Sequence, residues 1–261
     1  MGHPWYDADG NKKDTPNAYK YVGGESTWNE IVAGIAGGDA DGDGDKDPWI
    51  LIQSREAFQA LASGETPERV IGIAQVYQTL QQDRSGDKSA DPYAVPLIQF
   101  VPTLEEMTLA ALNVLDNDED GFFLMVEGGA VDWAGHANQS GRVIEEQVDF
   151  NRSVEAVVKW VGKNSNWGET LVIVTGDHET GYLTGPDSDP GWNPLVNNGA
   201  EVLPGMEWRS GSHTNQLVPF FAKGRGAKRY KKNADEFDPE RGPYIDNIEI
   251  AQVLFDLFAG R

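Results

Sequence analysis

The chain has no cysteine among its 261 residues. Thiolate metal sites, disulfide frameworks and dithiol redox pairs are therefore excluded. Zero cysteine fits a reducing and an oxidising compartment equally. No stretch approaches the roughly 20 apolar residues of a membrane-spanning helix, so membrane insertion is not expected. The first residues, Met1-Gly2-His3-Pro4-Trp5-Tyr6-Asp7, carry neither a basic nor an apolar leader region, and no signal peptide is read there. Positive charge is scarce too: 21 Lys and Arg stand against 42 Asp and Glu, a formal net charge of −21. That balance speaks against nucleic acid or an anionic membrane surface as a partner, because both need a basic face. It reads as a solvated acidic coat. It also poses a problem, since an anionic substrate is repelled unless bound cations invert the local field.

What remains is long enough for one large domain or two small ones. Residues 1–48, rich in Gly, Asp, Asn and Pro, read as a loop-rich opening segment with a short helix near Thr27–Ile35. Ile50–Gln53 is a short apolar run, Ser54 caps a helix to Leu61, and Val70–Ala74 reads as a buried strand. Residues 83–96 form a polar connection. From 97 onward the pattern sharpens. Thr103 with Glu106 makes a capping box for a helix Leu104–Leu115. Phe122–Val126, Leu171–Thr175 and Leu217–Ala222 have strand length and composition. One long helix is expected over Val131–Val161, and an amphipathic helix over Asp246–Phe258. Strands alternating with helices predict an α/β fold with a largely parallel sheet flanked by helices.

Three of the four histidines lie in acid-and-glycine settings. Glu127-Gly128-Gly129-Ala130-Val131-Asp132 leads to His136, Gly176-Asp177-His178-Glu179-Thr180-Gly181 follows an aliphatic run, and Gly211-Ser212-His213-Thr214 comes later. Imidazole and carboxylate are what zinc takes when no thiolate is present. Asp132 and His136 are four apart at a helix start, so they share one face. Glu127 and Asp177-His178 each follow an expected strand, where sites gather in open α/β sheets. His3 has no such setting and is left unassigned. Two calcium patterns compete. Asp116–Gly121 with Glu127 at the twelfth position matches an EF-hand loop, but Phe122–Val126 belongs in a strand and Gly128-Gly129 interrupts the exit helix. Asp39–Asp47 alternates carboxylates on a glycine-flexible loop, yet its twelfth position is Ile50.

Met125–Ala137, Thr175–Gly181 and Gly211–Thr214, in this order and spacing, resemble the metal-site motifs of alkaline phosphatases, and the likeness extends to Tyr21–Gly24 and Val76–Gln82. The resemblance implies an alkaline-phosphatase-like fold whose N-terminal portion is missing, with 1–261 as the C-terminal part of one domain and 97–261 as its metal-site core. It implies Asp132, His136 and His213 on a first zinc, Asp177 and His178 on a second, and Glu127 on a neighbouring magnesium. It further implies phosphomonoester hydrolysis through a phosphoserine intermediate, a homodimer in the complete protein, and a periplasmic or extracellular location. One feature departs: the family's Asp-Ser-Ala nucleophile motif does not occur, and Lys88-Ser89-Ala90, the nearest match, sits in a polar connection. No catalytic residue is assigned, and the isolated chain is expected to be weakly active or inactive. A phosphodiesterase or sulfatase of the same superfamily is the alternative within the class. A non-catalytic acidic calcium-binding module is the alternative outside it.

Overall fold

The computed structural model describes residues 5–7, 11–13, 19–188, 191–200 and 202–260; His3 and the rest of 1–4 lie outside them. In chain order the elements are β1 (Trp5–Tyr6), β2 (Lys12–Lys13), α1 (Glu25–Val32), β3 (Ile50–Ile52), α2 (Arg55–Leu61), β4 (Val70–Gly72), α3 (Leu104–Leu115), α4 (Ala130–His136) and α5 (Ser140–Asn164). There follow β5 (Leu171–Thr175), β6 (Glu179–Thr180), β7 (Leu183–Thr184), β8 (Glu207–Trp208), β9 (His213–Thr214), β10 (Phe220–Gly224), α6 (Ala227–Asn233), β11 (Glu236–Asp238), β12 (Gly242–Tyr244) and α7 (Asn247–Phe258). They form two compact units. One holds the chain up to Gly135 with 139–156 and 198–204; the other holds 136–138, 157–197 and 205 onward.

The first unit is organised by α2 and α3. Ser54 accepts from the Ala57 amide at the start of α2. Thr103 and Glu106 close the expected capping box on α3, each satisfying an amide the helix leaves open. Phe58, Leu61 and Ala110 are buried between the helices, with Ile52, Val70, Met107 and Val114 packed around them. Gly72 is required on β4 because a Cβ there would meet the Phe58 ring at 2.6 Å. Arg55 grips Glu106 with Nε at 3.0 and 2.9 Å from its two oxygens, tying the α2 start to the α3 start. Burial pulls the Glu106 carboxyl upward, but the bonds from Arg55 and Gln59 outweigh it and hold the group below its usual range.

The polar connection 83–96 is not a free loop. Arg84, buried, pairs with buried Glu145 on α5 at 2.7 Å and also donates to the carbonyls of Gln81, Val95 and Pro96. Glu145 accepts the Tyr93 amide at 2.7 Å, which holds Tyr93 at φ 64. Gln82 donates to Gln139 in the same buried seam.

The expected sheet is corrected. The described strands form six two-stranded ladders, and only β3–β4 is parallel. β5 and β10 pair antiparallel because the chain between them runs through short hairpin ladders rather than a crossover helix. Phe122–Val126 joins no ladder among the described residues; Phe123 and Met125 are exposed while Leu124 and Val126 are half-buried. The strand expected at 217–222 lies at 220–224. The single long helix is two. Asn138 takes the left-handed conformation at φ 53 and the Gln139 amide folds back to the Ala134 carbonyl, ending α4 before α5 begins. No helix among the described residues is long and apolar enough to cross a membrane.

Candidate metal centre

α4 begins just after Gly128-Gly129 and buries Ala134 and Gly135. Asp132 and His136 stand one turn apart on it and share its face. The His136 ring is oriented from behind: Nδ1 lies 2.8 Å from the Gly211 carbonyl, which can only accept, so Nδ1 carries the proton. Nε2 is left as the lone-pair donor. It lies 3.0 Å from Nε2 of His213.

Residues far apart in sequence are brought to this point by small ladders. β6 pairs with β9, Thr180 opposite His213 and Glu179 opposite Thr214. The pairing puts the His178 ring over His213, with centroids 3.6 Å apart and planes at 25°. His178 Nδ1 contacts the Thr180 hydroxyl at 3.3 Å, and its Nε2 lies 3.3 Å from Asp177 Oδ2. Asp177 itself, one residue beyond the β5 end turn, is largely exposed. The ladder is clamped by Glu179. One of its carboxylate oxygens accepts the Thr214 hydroxyl and the other accepts the Leu183 amide at 3.2 Å. The Gly181 amide donates to the Ser212 carbonyl next to His213.

Thus the second unit gathers His136, Asp177, His178 and His213, and Asp132 belongs to the helix that presents His136. Glu127 lies in the first unit, exposed, three residues ahead of α4. Sequence reasoning passed over Glu179, Thr214 and the Gly211 carbonyl. Glu179 had a signal, its place beside His178, but its partner is 35 residues away. Two imidazole nitrogens facing each other at 3.0 Å can hold one cation between them. Tetrahedral zinc at Zn–N of about 2.0–2.1 Å would separate them by about 3.3 Å.

The competing groups look different. Ser89 donates its hydroxyl to Asp87 at 2.6 Å inside its own turn. In the Asp39–Asp47 loop, Asp39 accepts the amides of Gly42 and Gly44, Asp41 that of Asp43, Asp43 that of Asp45, and Asp47 that of Ala40. Those carboxylates are engaged in holding the loop, although oxygens of Asp39, Asp41 and Asp43 lie within 4.8 Å of one another.

Known proteins match along the same stretch. The family model described as alkaline phosphatase aligns with residues 43–203, more than half of the chain and including Glu127, Asp132, His136, Asp177 and His178 but not the Gly211–Thr214 segment with His213. Alkaline phosphatase 3 of Bacillus subtilis is 39% identical over 102 residues, which is 39% of this chain and 21% of that protein. The alkaline phosphatase of Escherichia coli K12 is 34% identical over 145 residues, 53% of this chain and 30% of that one. The crystal structure of a cold-active alkaline phosphatase from a psychrophilic Shewanella superposes over 91% of this chain and 63% of its own, with a TM-score of 0.58 at 22% identity, and shows the shared fold. The chain thus spans a fifth to a third of the length of these curated relatives. By the extent of the family match and the common fold, it belongs to the alkaline phosphatase family.

Proposed function

We propose that this chain supplies the metal-holding half of a phosphomonoesterase. In this reading His136 and His213, with Asp132, hold one zinc; Asp177 and His178 contribute to a second; Glu127 serves a magnesium. The observation that carries it is the His136–His213 pair, whose Nε2 atoms face each other at 3.0 Å while the Gly211 carbonyl fixes the tautomer of His136. Bound divalent ions would clamp the attacking and leaving oxygens of an in-line phosphoryl displacement. They would also answer the repulsion that a charge of −21 imposes on an anionic ester.

The chain's own residues do the positioning. Gly211 orients His136, Thr180 orients His178, and Glu179 locks the ladder that sets His178 against His213. No residue here is proposed as the nucleophile. Ser89 is held in its own turn, and the chain alone is expected to turn over p-nitrophenyl phosphate little or not at all. The likeness to alkaline phosphatases supports a monoester over a diester or sulfate ester, a homodimer in the complete protein and a periplasmic or extracellular setting.

The test is zinc stoichiometry of the metal-stripped, zinc-dialysed chain beside His136→Ala. About one tightly held zinc per chain, absent from the variant, is expected if the first site assembles on these residues. A folded chain that takes up no zinc would sink the reading.

A further inference from the structure

Not every carboxylate buried along α5 is matched. Glu145 and Glu146 precede Asp149 on that helix at the i,i+4 and i,i+3 spacings, where like charges face and repel. Glu145 is answered: Arg84 meets it at 2.7 Å and Arg142, also buried, at 3.6 Å. Asp149 uses one oxygen to accept the Leu104 amide at 3.2 Å, at the start of α3. Glu106, whose charge reaches Asp149, is itself gripped by Arg55. Glu146 is left over. It is 8% exposed and receives the Gln82 amide, but its Oε1 is buried and meets no donor among the described residues. Burying an ionised group without a partner is costly.

Glu146 also faces a void. A cavity of about 40 Å³ opens between α5, the start of α3 and the 80–102 connection, all within the first unit. One water needs roughly 10–15 Å³ of such volume, so about three non-hydrogen atoms fit. The wall carries Glu145, Glu146 and Asp149 but a single cation, Arg152, which is itself exposed. Arg84 and Arg142, the two that answer Glu145, do not line it. Leu80, Leu97, Pro102 and the Tyr93 side chain supply apolar wall, and Gln81 has both its amide atoms on the Ile98 backbone at 2.9 Å.

The occupant that answers this wall is cationic, small and partly apolar. A metal ion is a poor match. It holds oxygens at about 2.0–2.6 Å, which brings its ligands within about 5 Å of one another. The trios of carboxylate or imidazole atoms that approach so closely lie elsewhere among the described residues. Water alone would bond Oε1 but would neither balance the charge nor cover the leucines. A primary ammonium does all three. Its nitrogen donates to separate carboxylates at about 2.7–2.9 Å, and a stem of one or two carbons lies on the apolar wall.

We propose that this cavity binds a small primary alkylammonium ion, its nitrogen held by Glu146 and Asp149 and its stem set against Leu80, Leu97 and Pro102. The site shares no residue with the histidine cluster and needs no metal, so it stands independently of the phosphatase reading.

The probe is ethylammonium chloride, titrated into the metal-free chain at pH 8 against potassium chloride at constant ionic strength and followed by amide NMR shifts. Saturable shifts are expected at Gln82, Tyr93, Glu146 and Asp149, with a dissociation constant of about 1 mM or weaker, the limit for three non-hydrogen atoms. Glu146→Gln, which keeps the volume, should weaken binding at least about tenfold. Asp149→Asn, which keeps an acceptor for the Leu104 amide, should weaken it too, whereas Glu119→Gln, exposed and remote in sequence, should not. Burial pushes Glu146 up to about 7, so affinity should also fall several-fold from pH 8 to pH 6. Matching amide spectra of the ligand-free variants exclude a folding defect. No saturable shift would leave the cavity to water and overturn the proposal. So would unchanged affinity in Glu146→Gln, an equal response to potassium, or tighter binding of calcium or of tetramethylammonium, which has no N–H to donate.

Discussion

The α2–α3 pair and the histidine cluster are held together in opposite ways. Between the helices, Phe58, Leu61 and Ala110 are buried, the termini are capped, and every contact is satisfied by the chain itself. Around His136 and His213, the supports are two-residue ladders, the rings are exposed, and two donor nitrogens face one another at 3.0 Å. The first region buries apolar surface and needs no ligand. The second rests on short ladders around an exposed imidazole pair, and in the proposed reading a cation would add to its support. On the proposed reading, stability and metal binding are drawn from different parts of the chain, and each part should fail alone.

The largest separation is expected from His213→Ala. It should abolish tight zinc binding, beyond the roughly 10–100-fold that an orienting residue costs, while leaving the melting of the zinc-free chain unchanged. Calorimetric zinc titration with a parallel melt reads both; a collapsed melt would erase the contrast. The reciprocal change is Phe58→Ala, expected to cost about 3–5 kcal/mol through the cavity it leaves. Denaturant unfolding measures it, and zinc affinity of the remaining folded chain should stand.

A third way to sharpen the contrast uses pH within the first unit. Glu146 on α5 is pushed up to about 7, first by burial and then by the carboxylates of Asp149 and Glu145, with Arg84 and the Gln82 amide pulling the other way. Tyr93 and Arg152 line the same cleft. A folded-state value above the unfolded one means the native state holds the proton more tightly. Stability from this group is therefore fully present below the usual glutamate range and is lost as pH rises towards and through about 7. Glu146→Gln should flatten that decline, worth on the order of 3 kcal/mol. Parallel pH slopes for the two proteins would show that Glu146 titrates normally.

These regions also differ in how far the sequence discloses them. α3 was legible down to its cap because Thr103 and Glu106 act within one turn. So was the set of histidines, since their glycine-and-acid settings are local. What could not be read were the long-range pairings. Nothing near Arg84 announces that it is buried against Glu145 from 61 residues away. Valine spacing ran through Asn138 and hid the break between α4 and α5, although Asn is among the few residues that accept φ > 0. The parallel sheet was inferred from alternation alone. Among the described residues between β5 and β10 there is no helix to carry a crossover, and the two strands pair antiparallel.

The finest test lies at the hinge between the two modes of support, in the β6–β9 ladder. Glu179 touches no donor nitrogen of the cluster; it accepts the Thr214 hydroxyl and the Leu183 amide and so fixes where His213 stands relative to His178. Glu179→Gln keeps the volume and one acceptor but replaces the other oxygen by a donor that can meet the Thr214 hydroxyl only if that group turns round. Its expected effect is a loss of zinc affinity within the roughly 10–100-fold range of orienting residues, with the melt of the zinc-free chain shifted little. Thr214→Val should reproduce it, and the double variant should cost no more than either single, since both remove one bond. Additive losses would mean that Glu179 acts on the cluster by another route. The ladder would then be a support like those of the first unit, and the contrast between the two regions would narrow.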